Sequence, residues 1–168
     1  MRIKIKSLFT ILLVMFLVRP LFCQNTATLA VKVKVEKRFR LEVSTSFISF
    51  SRVSSSGFPQ TIPANEGPFE MKIKTNCTSS TTTNVWLIAQ SDLVDGSTGF
   101  TIPVERIWWE AEGLGFYPGR LNKVFPVILA RLKGPGEYSG KLSFNFDEDP
   151  GLAPGVYNTT VTILVEGV

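Results

Sequence analysis

Leu152-Ala153-Pro154-Gly155-Val156-Tyr157-Asn158-Thr159-Thr160-Val161-Thr162-Ile163-Leu164-Val165-Glu166 is the stretch whose reading decides the fold. Pro154-Gly155 signals a turn, because proline presets φ and glycine permits a positive one. Beyond it Tyr157, Thr159, Val161, Ile163 and Val165 share one parity. Asn158, Thr160, Thr162 and Glu166 share the other, with Leu164 the one apolar intruder. Side chains alternate across a strand, so the pattern predicts one long half-buried strand with a wet outer face. Its β-branched content argues against a helix. On this register Ile163 faces the core and Thr162 faces solvent.

A closing strand needs partners, and the same alternation supplies them. Leu29, Val31, Val33 and Val35 alternate with Ala30, Lys32, Lys34 and Glu36, which predicts a first strand, and the parity continues through Phe39, Leu41 and Val43. Ile48 and Phe50 make a short second element before a Ser-, Gly- and Pro-rich loop. Residues 69–75 read as a third strand with Glu70, Lys72 and Lys74 outward. Residues 85–90 are apolar on both faces, which predicts a central or covered strand. Residues 92–99 read as a turn. Pro103 has no N–H to donate, so the next strand begins at or after Val104 or lies on an edge. Residues 112–119 form a glycine-rich loop. Residues 124–132 contain Pro126 and read as an edge strand. Residues 138–146 form a strand with Leu142, Phe144 and Phe146 inward. Eight or nine short strands with no helical period predict an all-β domain, a single two-sheet β-sandwich.

The chain has 168 residues and a formal charge of +4. Arg2, Lys4 and Lys6 precede an apolar run over residues 7–18, which predicts a signal peptide rather than a bilayer span. The expected organisation is a signal peptide over 1–23 and a β-sandwich domain over 24–168, cut after Cys23 or nearer Ala27. An uncleaved anchor and a lipid-modified Cys23 are the alternatives. Residues 1–23 carry four basic side chains and no acidic one, which leaves fourteen of each sign in the remainder. A nucleic-acid partner thereby loses its support. The location expected is secreted, periplasmic or cell-surface, with no membrane span in the mature protein. Cys77 is then the lone cysteine, either a buried small hydrophobe or an intermolecular thiol.

The residue types exclude most chemistry. There is no histidine, which removes Ser-His-Asp and Cys-His catalysis and the commonest zinc ligand. Glu105, Glu110 and Glu112 flank Trp108-Trp109, and a hydrolase with carboxylates at Glu105 and Glu110 is the weakest of three functional readings. Asp147-Glu148-Asp149 reads as a solvated turn, since an EF-hand loop needs alternating acids, a glycine and a distal Glu. Asn76-Cys77-Thr78 and Asn158-Thr159-Thr160 fit the N-glycan acceptor pattern. No catalytic residue, cofactor or metal is expected. Adjacent Trp108 and Trp109 must point to opposite faces of a strand. With Phe116 and Tyr117 they form the candidate binding platform, able to stack on a sugar ring or a partner protein. The competing structural expectation is that residues 114–117 fold over the outer tryptophan.

Residues 102–109 (Ile-Pro-Val-Glu-Arg-Ile-Trp-Trp), 47–53 (Phe-Ile-Ser-Phe-Ser-Arg-Val), Asn76-Cys77-Thr78 and the Pro154-Gly155-Val156-Tyr157 closing segment together resemble a group of small secreted bacterial immunoglobulin-like β-sandwich proteins, distantly the fimbrial-subunit and spore-coat-U-like domains. The resemblance covers about residues 28–168 and rests on β-turn and core positions. It implies an immunoglobulin-like sandwich with a structural or adhesive role outside the cytoplasm, whose partners are other envelope or surface proteins, or glycans. Such domains usually bridge the equivalent of Cys77 to a cysteine near the first strand, and here that strand has none. The expected function is a non-enzymatic surface protein, with a small carbohydrate-binding module as the alternative. The row at Leu29, Val31, Val33 and Val35 either closes the core of its own chain or inserts into a neighbouring subunit. Enough strands remain without it, and Lys32 and Lys34 suit a guarded edge, so pairing within the chain is expected.

Overall fold

The computed structural model describes residues 30, 32–51, 61–148 and 151–168. The chain divides into two compact units, Met1–Val35 and Glu36–Val168. Every strand among the described residues lies in the second unit. The expected signal peptide and its cleavage site lie outside the described residues.

The strands are β1 (Phe39–Val43), β2 (Thr61–Pro63), β3 (Phe69–Thr75), β4 (Thr82–Ala89), β5 (Leu93–Asp95), β6 (Thr101–Ile102), β7 (Ile107–Glu112), β8 (Gly119–Arg120), β9 (Val127–Lys133), β10 (Gly136–Asp147), β11 (Tyr157–Asn158) and β12 (Val161–Gly167). A single 3-10 turn, Val104–Arg106, is the one helical element described. One sheet runs β1-β3-β10-β7-β8, with β2 also on β10. A second runs β12-β4-β9, and a small third runs β11-β5-β6. All pairings are antiparallel. The fold is an all-β sandwich.

Parity explains the core. In β3, Phe69, Met71, Ile73 and Thr75 are buried and the residues between them are exposed. In β10, Gly140, Leu142 and Phe144 are buried. They pack with Trp109 of β7 against Val85 and Leu87 of β4 and Leu129 and Leu132 of β9. Phe69 meets Phe144 edge-on at 6.0 Å, and Trp109 lies 5.8 Å from Phe144. Strand β4 is central in its sheet and β9 an edge, as the sequence predicts. Pro103 acts as expected and separates β6 from the 3-10 turn, whereas Pro126, expected inside the edge strand, immediately precedes it, because without an N–H it cannot join the ladder.

The two sides of the sandwich differ. On the β8/β9 side, residues 113–118 cross from one sheet to the other. The Tyr117 N–H donates to the Leu129 carbonyl at 2.9 Å, and the Arg131 N–H to the Gly115 carbonyl at 2.8 Å. Gly115 has φ +82°, and a Cβ there would lie 2.6 Å from the Arg131 carbonyl oxygen, so only glycine fits the crossing. On the other side, β1 and β12 each pair with one neighbour only. Among the described residues no backbone hydrogen bond joins them. They meet where the Phe39 ring lies over Gly167, whose absent side chain makes the room.

Five expectations are corrected. Ala30 and residues 32–38 belong to no strand, Val33 and Val35 are exposed, and the first strand starts at Phe39. Residues 30 and 32–36 therefore have none of the expected in-chain ladder. The single closing strand is two, because the chain leaves the small sheet at Asn158 and joins the β4 sheet at Val161. The Thr159 hydroxyl pins this switch by donating to the Ser91 carbonyl at 2.8 Å. Ile163 packs on the core but is only partly buried, Thr162 is also partly buried, and Leu164 is exposed. Ile48 and Phe50 pack on the core without forming a strand. Their segment is held by Glu66, whose carboxylate accepts from the Ser49 N–H at 2.8 Å and its hydroxyl at 2.6 Å. The residue 92–99 turn also contains strand β5.

Leu129 is fully buried at the sheet interface, whereas Leu164 is 43% exposed on the free strand β12. Leu129→Ala should cost about 2–5 kcal/mol by leaving a cavity, and Leu164→Ala about 0.5 kcal/mol or less, read from urea midpoints.

Candidate functional site

The solvent face of the larger sheet is set by register. Arg40 and Glu42 of β1, Glu70, Lys72 and Lys74 of β3, and Glu137, Ser139 and Lys141 of β10 alternate with the core residues on their strands. Arg40–Glu42 at 2.7 Å, Lys74–Glu137 at 3.1 Å and Lys141–Glu70 at 3.7 Å are ion pairs on this face. Each is exposed and adds little stability, but the mixed charge keeps the face soluble.

One end of this face is different. Trp108 lies between Arg120 on β8 and Asn145 on β10. Glu110 lies opposite Ser143, and Glu112 opposite Lys141. The Trp108 indole N–H donates to the Asp147 carboxylate at 2.8 Å. The other carboxylate oxygen of Asp147 accepts from Arg120 at 2.9 Å. Arg120 also donates to the Glu105 carbonyl, and Arg106 to the Asp147 carbonyl at 3.2 Å. A depression of about 690 Å³ opens here, lined by Trp108, Glu110, Glu112, Pro118, Arg120 and Ser143 among others. Burial disfavours the charged form of Asp147. The indole and Arg120 hydrogen bonds outweigh it and hold the carboxyl below its ordinary value.

The four expected platform residues do not share one surface. Trp108 and Trp109 point to opposite faces, as adjacency requires, and Trp109 is completely buried. Phe116 is buried too, against Gly140, where a Cβ would sit 2.6 Å from its ring. Tyr117 is exposed on the crossing segment and makes no ring contact with Trp108 among the described residues. The loop therefore covers the inner tryptophan, not the outer one. The Trp109 indole N–H donates to the Tyr117 carbonyl at 2.9 Å, since a buried donor must find a partner. The surface site consists of Trp108 with Glu110, Arg120, Ser143 and Asp147. Only Trp108 and Glu110 were legible from sequence. Arg120 and Asp147 belong to distant segments that strand pairing brings together.

The other candidates are placed as follows. Glu105 lies on the 3-10 turn and Glu110 on β7. In the acidic run, Asp147 orders Trp108, Glu148 is buried and Asp149 lies outside the described residues. Among the described residues no group of three or more His, Cys, Asp or Glu is placed to hold a metal ion. None of their helices is long and apolar enough to cross a membrane. Cys77 is free and buried, with its sulfur near Gly167. The Asn76 side chain is occupied: it accepts from the Arg38 N–H at 2.7 Å and donates to the Glu36 carbonyl at 2.9 Å. No protein-family model matches the chain, and neither does any curated protein.

A carboxyl whose pKa is lowered in the folded state contributes stability above its unfolded pKa, and that contribution is lost as pH falls through the folded value. Asp147→Asn should therefore destabilise the protein at pH 7 by on the order of 1 kcal/mol, and the gap in urea midpoint should close below about pH 4. The indole N–H resonance of Trp108 should move in this variant, while that of Trp109, held by Tyr117, should not.

Proposed function

We propose that this protein is a non-catalytic structural subunit of an exported surface assembly, joined to its neighbours by a strand added at the open side of the sandwich. The observation that carries this reading is the incomplete side between β1 and β12. The central core residues Met71, Val85, Leu129 and Leu142 are wholly buried. At the open side, Leu41, Ile163 and Val165 face the core yet remain partly accessible. Strand β12 has no proline or lysine along its length to discourage pairing.

The chain also carries a segment of suitable pattern. Leu29, Val31, Val33 and Val35 alternate with polar or small residues, and the described part of this segment belongs to no strand. Strand addition combines main-chain hydrogen bonds for affinity with alternate side chains for specificity. A segment of one copy added to the edge of the next makes a head-to-tail contact, which does not close on itself and grows into a chain. The absence of histidine, the even charge balance after residue 23 and the leader-like residues 1–23 support the same reading. Location in the envelope or at the cell surface is part of the proposal.

The test uses a protein of residues 24–168 and one lacking residues 24–35. The longer form should give multimers that survive mild denaturant on unheated gels. The shorter form should be monomeric, and a peptide of residues 27–37 should raise its urea midpoint by an amount that grows with peptide concentration. A monomeric longer form, or a shorter form indifferent to the peptide, would overturn the proposal.

A further inference from the structure

We infer that the depression around Trp108 is a binding site for a neutral oligosaccharide, independent of how subunits join. Trp108 is the aromatic residue of the strand-borne outer face in β7, set at the end of a field of charged and hydroxyl side chains. An indole has one polar atom, and here it is committed to Asp147. What Trp108 has left to offer a ligand is therefore apolar ring surface. The hydrogen bond and the strand hold the ring, so contact with it costs little conformational freedom. Asp147 is itself tied to Arg120, and Arg120 to the Glu105 carbonyl, so the network that holds the indole extends to β8 and the 3-10 turn.

The rim supplies the second half of the recognition. The Glu110 carboxylate and the Ser143 hydroxyl have no side-chain partner among the described residues, and they stand opposite each other one register step from Trp108. A pyranose ring presents an apolar C–H face and an equatorial belt of hydroxyls. The first suits an indole, and the second suits a carboxylate, a hydroxyl and an arginine arranged around it. The depression's volume of about 690 Å³ lies within the range of small-ligand sites.

Charge selects among ligands. Of the charged side chains that line the depression, Glu110 and Glu112 outnumber Arg120, whose charge is already shared with Asp147. Acidic sugars and phosphates are disfavoured by this excess. A cationic peptide would be attracted, but a single indole does not make the aromatic cage that holds a cation. A neutral sugar needs neither, and it uses both the ring and the unpaired polar groups.

The experiment titrates the residue 24–168 protein with cellohexaose, xylohexaose, N-acetylchitohexaose, hexagalacturonate and a lysine hexapeptide, following the indole N–H resonances. At least one of the three neutral sugars should bind and shift the Trp108 signal, and hexagalacturonate should not bind. Trp108→Ala should weaken that binding about tenfold or more. Because Trp108 is partly buried, the exposed substitution Glu110→Gln is the second variant. It should weaken binding about three- to tenfold without changing the urea midpoint. Binding of the lysine peptide alone, binding of hexagalacturonate, binding of no neutral sugar, or sugar binding that both variants leave unchanged would each overturn the inference.

Discussion

The indole N–H of Trp109 is a hydrogen-bond donor in a place without water. It must be paired from within, and the partner is the carbonyl of Tyr117. That requirement draws the loop after β7 across the sandwich. Once there, the loop bonds to β9 through Tyr117, Gly115 and a bridge from Phe116 to Ala130. Gly119 permits the return, since a Cβ at that position would sit 2.5 Å from the Trp109 ring. One buried polar atom thus connects the two sheets on one side, and the Phe116 ring it brings along fills the space over Gly140.

The opposite side has no such connector. Strands β1 and β12 touch through Phe39 and Gly167 at one end, and their apolar residues are screened only in part. Antiparallel sheets leave two edges each, and a sandwich must do something with all four. Here β8 and β9 are covered by the crossing segment, and the acidic and basic side chains of β1 face solvent. Strand β12 remains the apolar edge, with Val161 and Leu164 exposed along it. The asymmetry follows from the placement of one tryptophan and two glycines rather than from any difference in strand chemistry.

Strand existence was legible because burial on one face imposes a period of two. Residues 69–75 and 138–146 show it most cleanly, and the structure has β3 and the centre of β10 there. What parity cannot carry is partnership. The run from Tyr157 to Val165 keeps one alternation while its two halves pair with different sheets, because a strand that changes partner need not change phase. The row at Val33 and Val35 alternates as well as any core strand, yet alternation records a capacity to be half-buried, not the presence of something to be buried against. For the surface site, adjacency of Trp108 and Trp109 settled that only one could face the core. Which one did so depends on β8 and the crossing loop, and the Asp147 and Arg120 that hold the outer ring are 39 and 12 residues from it in sequence.

The contact of Phe39 with Gly167 has a consequence for how this unit can be joined to others. Entry and exit of the β unit stand side by side, so the chain leaves the sandwich close to where it came in. A unit with neighbouring ends behaves as a cassette. It can be spliced into a surface turn of another protein without prising its host apart, and its own ends can be fused and the chain reopened at an exposed turn without redrawing the sheets. The order in which the strands are synthesised is thereby separable from the order in which they lie.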